Sequence, residues 1–182
     1  MKKLKLASKF AALALVVIAV GLFISSRHVT AQNEQPPPTA LKLPPPISVA
    51  SKQEPVSIRK QNGEELPFNI ELAITPAQQS KGLMFRTEMA EDAGMLFIFN
   101  TVKPLSFWMK NTFIPLDMLF LSSDGTILHI HPNAIPEDTT GVPSKFPAKA
   151  VLEINGGIAA KMGVKEGDQV QHRFFNNTAP AQ

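Results

Sequence analysis

The chain has 182 residues, with 18 Lys+Arg against 15 Asp+Glu, no cysteine and a formal charge of +3. The lack of cysteine excludes a disulfide framework, a thiolate zinc site, an iron–sulfur cluster and a cysteine nucleophile. The basic excess sits in residues 1–31, which hold Lys2, Lys3, Lys5, Lys9 and Arg27 and no acidic side chain, so the rest carries 18 − 5 = 13 basic groups against 15 acidic, a net of −2. A domain that binds nucleic acid through a basic surface is therefore not expected.

The first segment in chain order reads as an address. Lys2 to Lys9 form a basic region, and Phe10 to Ile24 follow as fifteen residues without charge. Ser25 to Ala31 are more polar and end on Val29-Thr30-Ala31, the small-x-small pattern of a signal peptidase site. The apolar run is shorter than the ~20 residues a spanning helix needs. The expectation is a signal peptide over 1–31 cleaved after Ala31; the alternative is an uncleaved signal anchor. No cysteine stands at the junction to carry a lipid. Either form puts the remainder outside the cytoplasm, periplasmic or secreted in the first case and membrane-anchored in the second. Residues 32–55 then contain seven prolines, including Pro36-Pro37-Pro38 and Pro44-Pro45-Pro46. Such a stretch leans to extended polyproline II and reads as a spacer, with a proline-motif docking site as the other possibility.

Residues 56–175 are long enough for one hydrophobic core, and 176–182 read as a disordered tail. Short apolar runs bounded by Pro, Gly, Asn or Asp predict strands at Val56–Lys60, Phe68–Ile74, Met95–Phe99, Ser106–Lys110, Asp117–Leu121, Thr126–His131, Ala150–Ile154 and Gln169–Phe175. Ser123-Asp124-Gly125 marks a hairpin turn. Thr75-Pro76-Ala77-Gln78 predicts a helix start with a capping box and proline in the first turn, and Gly82 its end. A second short helix is predicted from Gly157 to Met162. The expected fold is mainly β (α+β): a compact antiparallel, barrel-like sheet with two short helices, since eight strands around a small core otherwise leave edges exposed.

Three segments stand out. They are Gly82-Leu83-Met84-Phe85-Arg86 with Gly94-Met95-Leu96-Phe97-Ile98-Phe99; Phe107-Trp108-Met109-Lys110-Asn111-Thr112-Phe113-Ile114-Pro115-Leu116-Asp117; and Val151-Leu152-Glu153 with the later Gly167-Asp168. Together they resemble the family known as domain of unknown function 192, over roughly residues 68–170. That resemblance implies a small mostly-β domain, often exported from bacterial or archaeal cells, and implies no activity.

The chemistry must come from the residues. Trp108 is the only tryptophan. On a strand Ser106–Lys110 it shares a face with Lys110, and Asn111 and Thr112 follow at the strand end. An aromatic platform beside a cation, an amide and a hydroxyl suits a sugar or other small polar ligand; the plainer reading packs Trp108 in the core. Asp117 lies in an apolar run, where an unpaired carboxylate costs several kcal/mol. Arg86, in equally apolar surroundings, offers a bidentate partner, so an Arg86–Asp117 or Arg86–Glu153 pair is expected, either structural or lining a pocket.

Three further patterns are weaker. His129 and His131 share one face of a strand, which is metal-ligand spacing without a third ligand, so no metal and no cofactor is expected. Six methionines fall in the domain, and gap filling explains them better than a thioether copper site. Ser144 with a histidine and Asp117 assembles a hydrolase only on paper, and no Gly-x-Ser-x-Gly elbow is present. The leading expectation is a non-catalytic binding module for a small polar or carbohydrate-like ligand in the cell envelope. Arg86, Trp108, Lys110, Asn111, Thr112, Asp117 and Glu153 are its candidate ligand-binding residues. A small hydrolase acting on an envelope component and a protein-interaction domain are the alternatives. Membrane association is expected only through the N-terminal segment, if that is uncleaved.

Overall fold

The computed structural model describes residues 52–178. The signal segment, most of the proline-rich stretch and residues 179–182 lie outside the described residues. Nine strands run as β1 (Glu54–Arg59), β2 (Glu65–Ala73), β3 (Ala93–Lys103), β4 (Ser106–Phe107), β5 (Leu116–Leu121), β6 (Ile127–Ala134), β7 (Val142–Pro143), β8 (Ala148–Asn155) and β9 (Gln169–Gln171). Two short helices, α1 (Pro76–Lys81) and α2 (Ile158–Lys161), and a 3₁₀ turn (Arg173–Phe175) complete the described part.

Seven strands form one sheet in the order β6-β5-β8-β3-β2-β1-β9, and β4 pairs with β7 alone. The mainly β class with two short helices is the expected one. The all-antiparallel arrangement is corrected, because β2 and β3 run parallel while their neighbours are antiparallel. A parallel neighbour needs a crossover rather than a hairpin. Residues 74–92, with α1 inside them, are that crossover. The sheet curls into a half-barrel whose edge strands meet at one end. There the Ile127 N–H donates to the Asp168 carbonyl (2.8 Å) and the Val170 N–H to that of Gly125 (2.8 Å).

Alternation along the strands places two apolar layers on the two faces of the sheet. Phe68, Ile70, Leu96, Leu119, Leu152 and Val170 belong to one, which draws on strands from both edges and fills the curl. Met95, Phe97, Met118, Phe120 and Val151 face the other way, and Leu83, Met109 and Ile114 cover them from loops. All six residues of β5 are buried, which follows from its being covered on both faces.

Two strand predictions run too long. The Ser106–Lys110 strand ends at Phe107, because the Met109 N–H turns to the Asp138 carbonyl (2.8 Å) and Asn111 takes a left-handed φ of 55°. The Gln169–Phe175 strand ends at Gln171, where His172 caps the 3₁₀ turn. The α1 capping box forms as predicted: Thr75 accepts from the Gln78 N–H, and the Gln78 side chain accepts from the Thr75 N–H. Hydrogen bonding continues past Phe175, since the Asn177 amide donates to the carbonyls of Val170 (2.9 Å) and Asp124 (2.8 Å).

Candidate functional site

A cavity of about 400 Å³ opens on the second face of the sheet, within the range of about 300–1,000 Å³ typical of small-ligand sites. One wall is the crossover: Gln79, Ser80 and Lys81 from α1, then Gly82, Leu83 and Met84. The opposite wall is the chain from Ser106 to Thr112, with Gly141 beside it. Phe97, Phe99 and Glu153 line it from the sheet itself. Gln79 ties the first wall down, its amide donating to the Ile98 carbonyl (2.7 Å). Gly82 turns the chain at φ 47°, and a Cβ there would stand 3.1 Å from the Phe97 ring. A side chain at that position meets both backbone strain and the cavity wall.

Glu153 is the chemically unusual member. It sits in β8 between Met95 of β3 and Met118 of β5, its direct cross-strand neighbours. It is 4% exposed, and its carboxyl makes no side-chain hydrogen bond or salt bridge among the described residues. Burial among these thioethers pushes its pKa up to about 8, so it holds its proton at neutral pH. A neutral carboxyl presents one O–H donor and one carbonyl acceptor toward the cavity.

Trp108 is 53% exposed, which sets aside the reading in which it packs in the core. The Lys110 ammonium lies 5.5 Å from its ring centroid, a cation–π distance. The two were expected together on one strand face. They meet instead across a turn, after the strand has ended. Thr112 is buried, and its hydroxyl donates to the Lys110 carbonyl (3.4 Å). Trp108, Lys110, Thr112 and Glu153 thus converge on one concavity.

Asp117, Arg86 and Asn111 do not line it, and the expected Arg86 pairings are corrected. Asp117 points into the curl, on the face opposite Glu153. Its Oδ1 accepts from the Asn133 N–H (2.8 Å) and the Gly157 N–H (2.9 Å), and its Oδ2 from the Ala159 N–H (2.8 Å). It supplies from another strand the cap that Gly157 has no side chain to give α2. Arg86 instead meets Glu71 of β2, Nη2 to Oε1 at 2.5 Å. Glu71 pairs across Met95, one strand further from Glu153, so the guanidinium neutralises a different buried acid. Asn111 shapes the wall from behind: its carbonyl accepts from the Phe85 N–H (2.7 Å), and both residues are left-handed, at φ 55° and 67°.

The weaker patterns resolve into packing. The His129 ring stacks on Phe120 at 5.9 Å, with Nδ1 2.9 Å from Glu166 Oε1. Burial holds the pKa of His131 below the ordinary histidine value, with the His129 and Lys145 charges adding to it. Among the described residues no three His, Cys, Asp or Glu are placed to hold a metal ion. Ser144 is buried, donating to the Phe146 carbonyl (2.6 Å) and accepting from the Leu105 N–H (3.1 Å), so its hydroxyl is a loop tie rather than a free nucleophile. Met95, Met109 and Met118 are core residues of the second layer. Sequence reasoning missed the α1 wall. Its signal was present in the capping box, but nothing local said which way the crossover faces.

These features belong to a small half-barrel domain with a lined cavity on the second face of its sheet. The family model for domain of unknown function 192, described as "Uncharacterized ACR", matches residues 57–172, and the chain belongs to that family. A crystal structure from Sinorhizobium meliloti 1021, described as a "putative transcription regulator", is 43% identical with a TM-score of 0.67. The match covers 69% of this chain and 98% of that one. A protein of unknown function from Novosphingobium aromaticivorans DSM 12444 is 46% identical with a TM-score of 0.65, over 70% of this chain and 89% of its own. No curated protein matches at a significant level.

Proposed function

We propose that this protein is a non-catalytic binding module for a small polar, sugar-like ligand, acting in the cell envelope outside the cytoplasm. The observation that carries the reading is Glu153: a carboxyl 4% exposed, hydrogen-bonded to none of the described residues, on the wall of an open cavity whose rim holds a half-exposed tryptophan. A carboxyl so nearly buried carries a desolvation cost that no hydrogen bond from the described residues offsets. A ligand hydroxyl recovers that cost, and a sugar ring offers hydroxyls together with an apolar face for Trp108. Location outside the cytoplasm rests on the charge and hydropathy pattern of residues 1–31.

The hydrolase alternative loses its nucleophile, since the Ser144 hydroxyl is buried and bonded on both sides. A role on nucleic acid finds no support in the charge balance of −2 outside residues 1–31. The test uses the single tryptophan. Titration with neutral saccharides, uronic acids, nucleotides and small carboxylates is expected to shift Trp108 fluorescence and raise Tm for at least one class. Glu153→Leu, which keeps the fold by substituting an apolar side chain, is expected to abolish both responses. A panel that moves neither signal overturns the proposal.

A further inference from the structure

We infer that the cavity takes an acidic sugar-type ring, with an uncharged hydroxyl on the Glu153 carboxyl, the ring beside Trp108, and an anionic substituent at the mouth near Lys81 and Lys110. This names the ligand class of the same site and rests on the binding reading above.

The inner end must be uncharged. Met95 and Met118 flank Glu153 on both neighbouring strands, and Phe97 lines the same wall. An ion brought there loses its hydration with no opposite charge to replace it, at a cost of several kcal/mol. A hydroxyl loses little, because the protonated acid offers it both a donor and an acceptor. The mouth has the opposite character. Lys81 and Lys110 are the only charged lining residues besides Glu153, and neither forms a salt bridge among the described residues. Both are exposed. The carboxylate of Glu71, on β2 one strand beyond Met95, is already neutralised by Arg86. The cavity therefore runs from a neutral apolar floor to a cationic lip. A ligand with a cationic substituent meets two like charges at the lip; one with an anionic substituent meets two partners.

The groups facing Glu153 define its pH response. Met95 from β3 and Met118 from β5 do not titrate. Glu71 with Arg86 lies one strand beyond Met95, and His131 one strand beyond Met118. Lys81 and Lys110 face it across the cavity. Binding that uses the neutral acid is expected to weaken as pH rises through about 8.

The experiment is a Trp108 fluorescence titration with glucuronate, glucose and glucosamine at pH 7, in low and high salt. Glucuronate is expected to bind at least fivefold tighter than glucose, and glucosamine weakest. High salt should shrink the glucuronate advantage by screening the lip. The Lys81→Gln/Lys110→Gln double variant should bring glucuronate down to the level of glucose. Glucose matching glucuronate, or glucosamine binding tightest, overturns this inference and leaves the binding module standing. So does a response only to nucleotides or small carboxylates. Silence from every class in both panels removes the module and the inference together.

Discussion

Asp117 and Glu153 are both buried acids on paired strands, a single register step apart, and they have opposite fates. Asp117 is 0% exposed, and its carboxylate accepts three backbone N–H bonds. Glu153 is almost as deeply buried and accepts none. A one-residue step along a strand reverses the face, so Asp117 enters the curl where α2 needs a cap and Glu153 enters the cavity. The first acid belongs to the scaffold. The second is a polar group to which the described residues give no hydrogen bond, and that contrast separates the two acids better than burial does.

Removing Asp117 should have the largest effect. Asp117→Ala strands three backbone donors in the interior, and a loss of ~3–5 kcal/mol is expected in urea unfolding. A variant that unfolds at the wild-type midpoint breaks the comparison at its structural end. Glu153→Gln should move stability the other way. Folded Glu153 keeps its proton to about pH 8, whereas the unfolded chain releases it near the ordinary value of 4.5. Between those values the unfolded state binds fewer protons, so wild-type stability falls as pH rises. The penalty is absent below the lower value and complete above the upper one. The glutamine variant does not titrate there. Its Tm should match wild type closely at pH 4 and exceed it at pH 9, by the equivalent of a few kcal/mol. Equal Tm differences at both pH values remove the neutral-acid description.

A smaller effect is expected from Arg86→Met, which leaves Glu71 buried without its partner, at a cost of about 1–3 kcal/mol. Adding Glu71→Met should recover part of that loss, which sharpens the assignment of Arg86 to the scaffold. Trp108→Ala comes last. Its side chain is half exposed, and the expected change is within about 0.5 kcal/mol in thermal unfolding. A large loss there would place Trp108 with Asp117 rather than with Glu153.

Much of this was legible in the sequence, wherever the signal was local. The Thr75 capping box, the Ser123-Asp124-Gly125 turn and the apolar runs of β5 and β8 each carry their own stereochemistry. Pairing partners were not legible. Arg86 and Asp117 looked like mates because both sit in apolar runs, but hydropathy does not say which face of a sheet a residue joins. Gly157 did hold a clue to Asp117: a helix beginning on a glycine with no capping side chain must take its acceptor from elsewhere. The parallel pairing of β2 with β3 left no local mark, since it depends on where the chain lands after α1. Four of the seven candidate site residues line the cavity, and the three that do not are those whose partners lie across the fold.

The crossover from β2 to β3 has one more consequence. It forms a full wall of the cavity, yet the ladder hydrogen bonds of the sheet run through other backbone. Within it Gln79, Gly82 and Leu83 are fixed by the Ile98 carbonyl, the Phe97 ring and the second apolar layer, which leaves Ser80 and Lys81 as the cavity-lining positions free of those ties. On the binding reading proposed above, ligand selection would fall to those two positions and to the Trp108–Lys110 rim rather than to the strands.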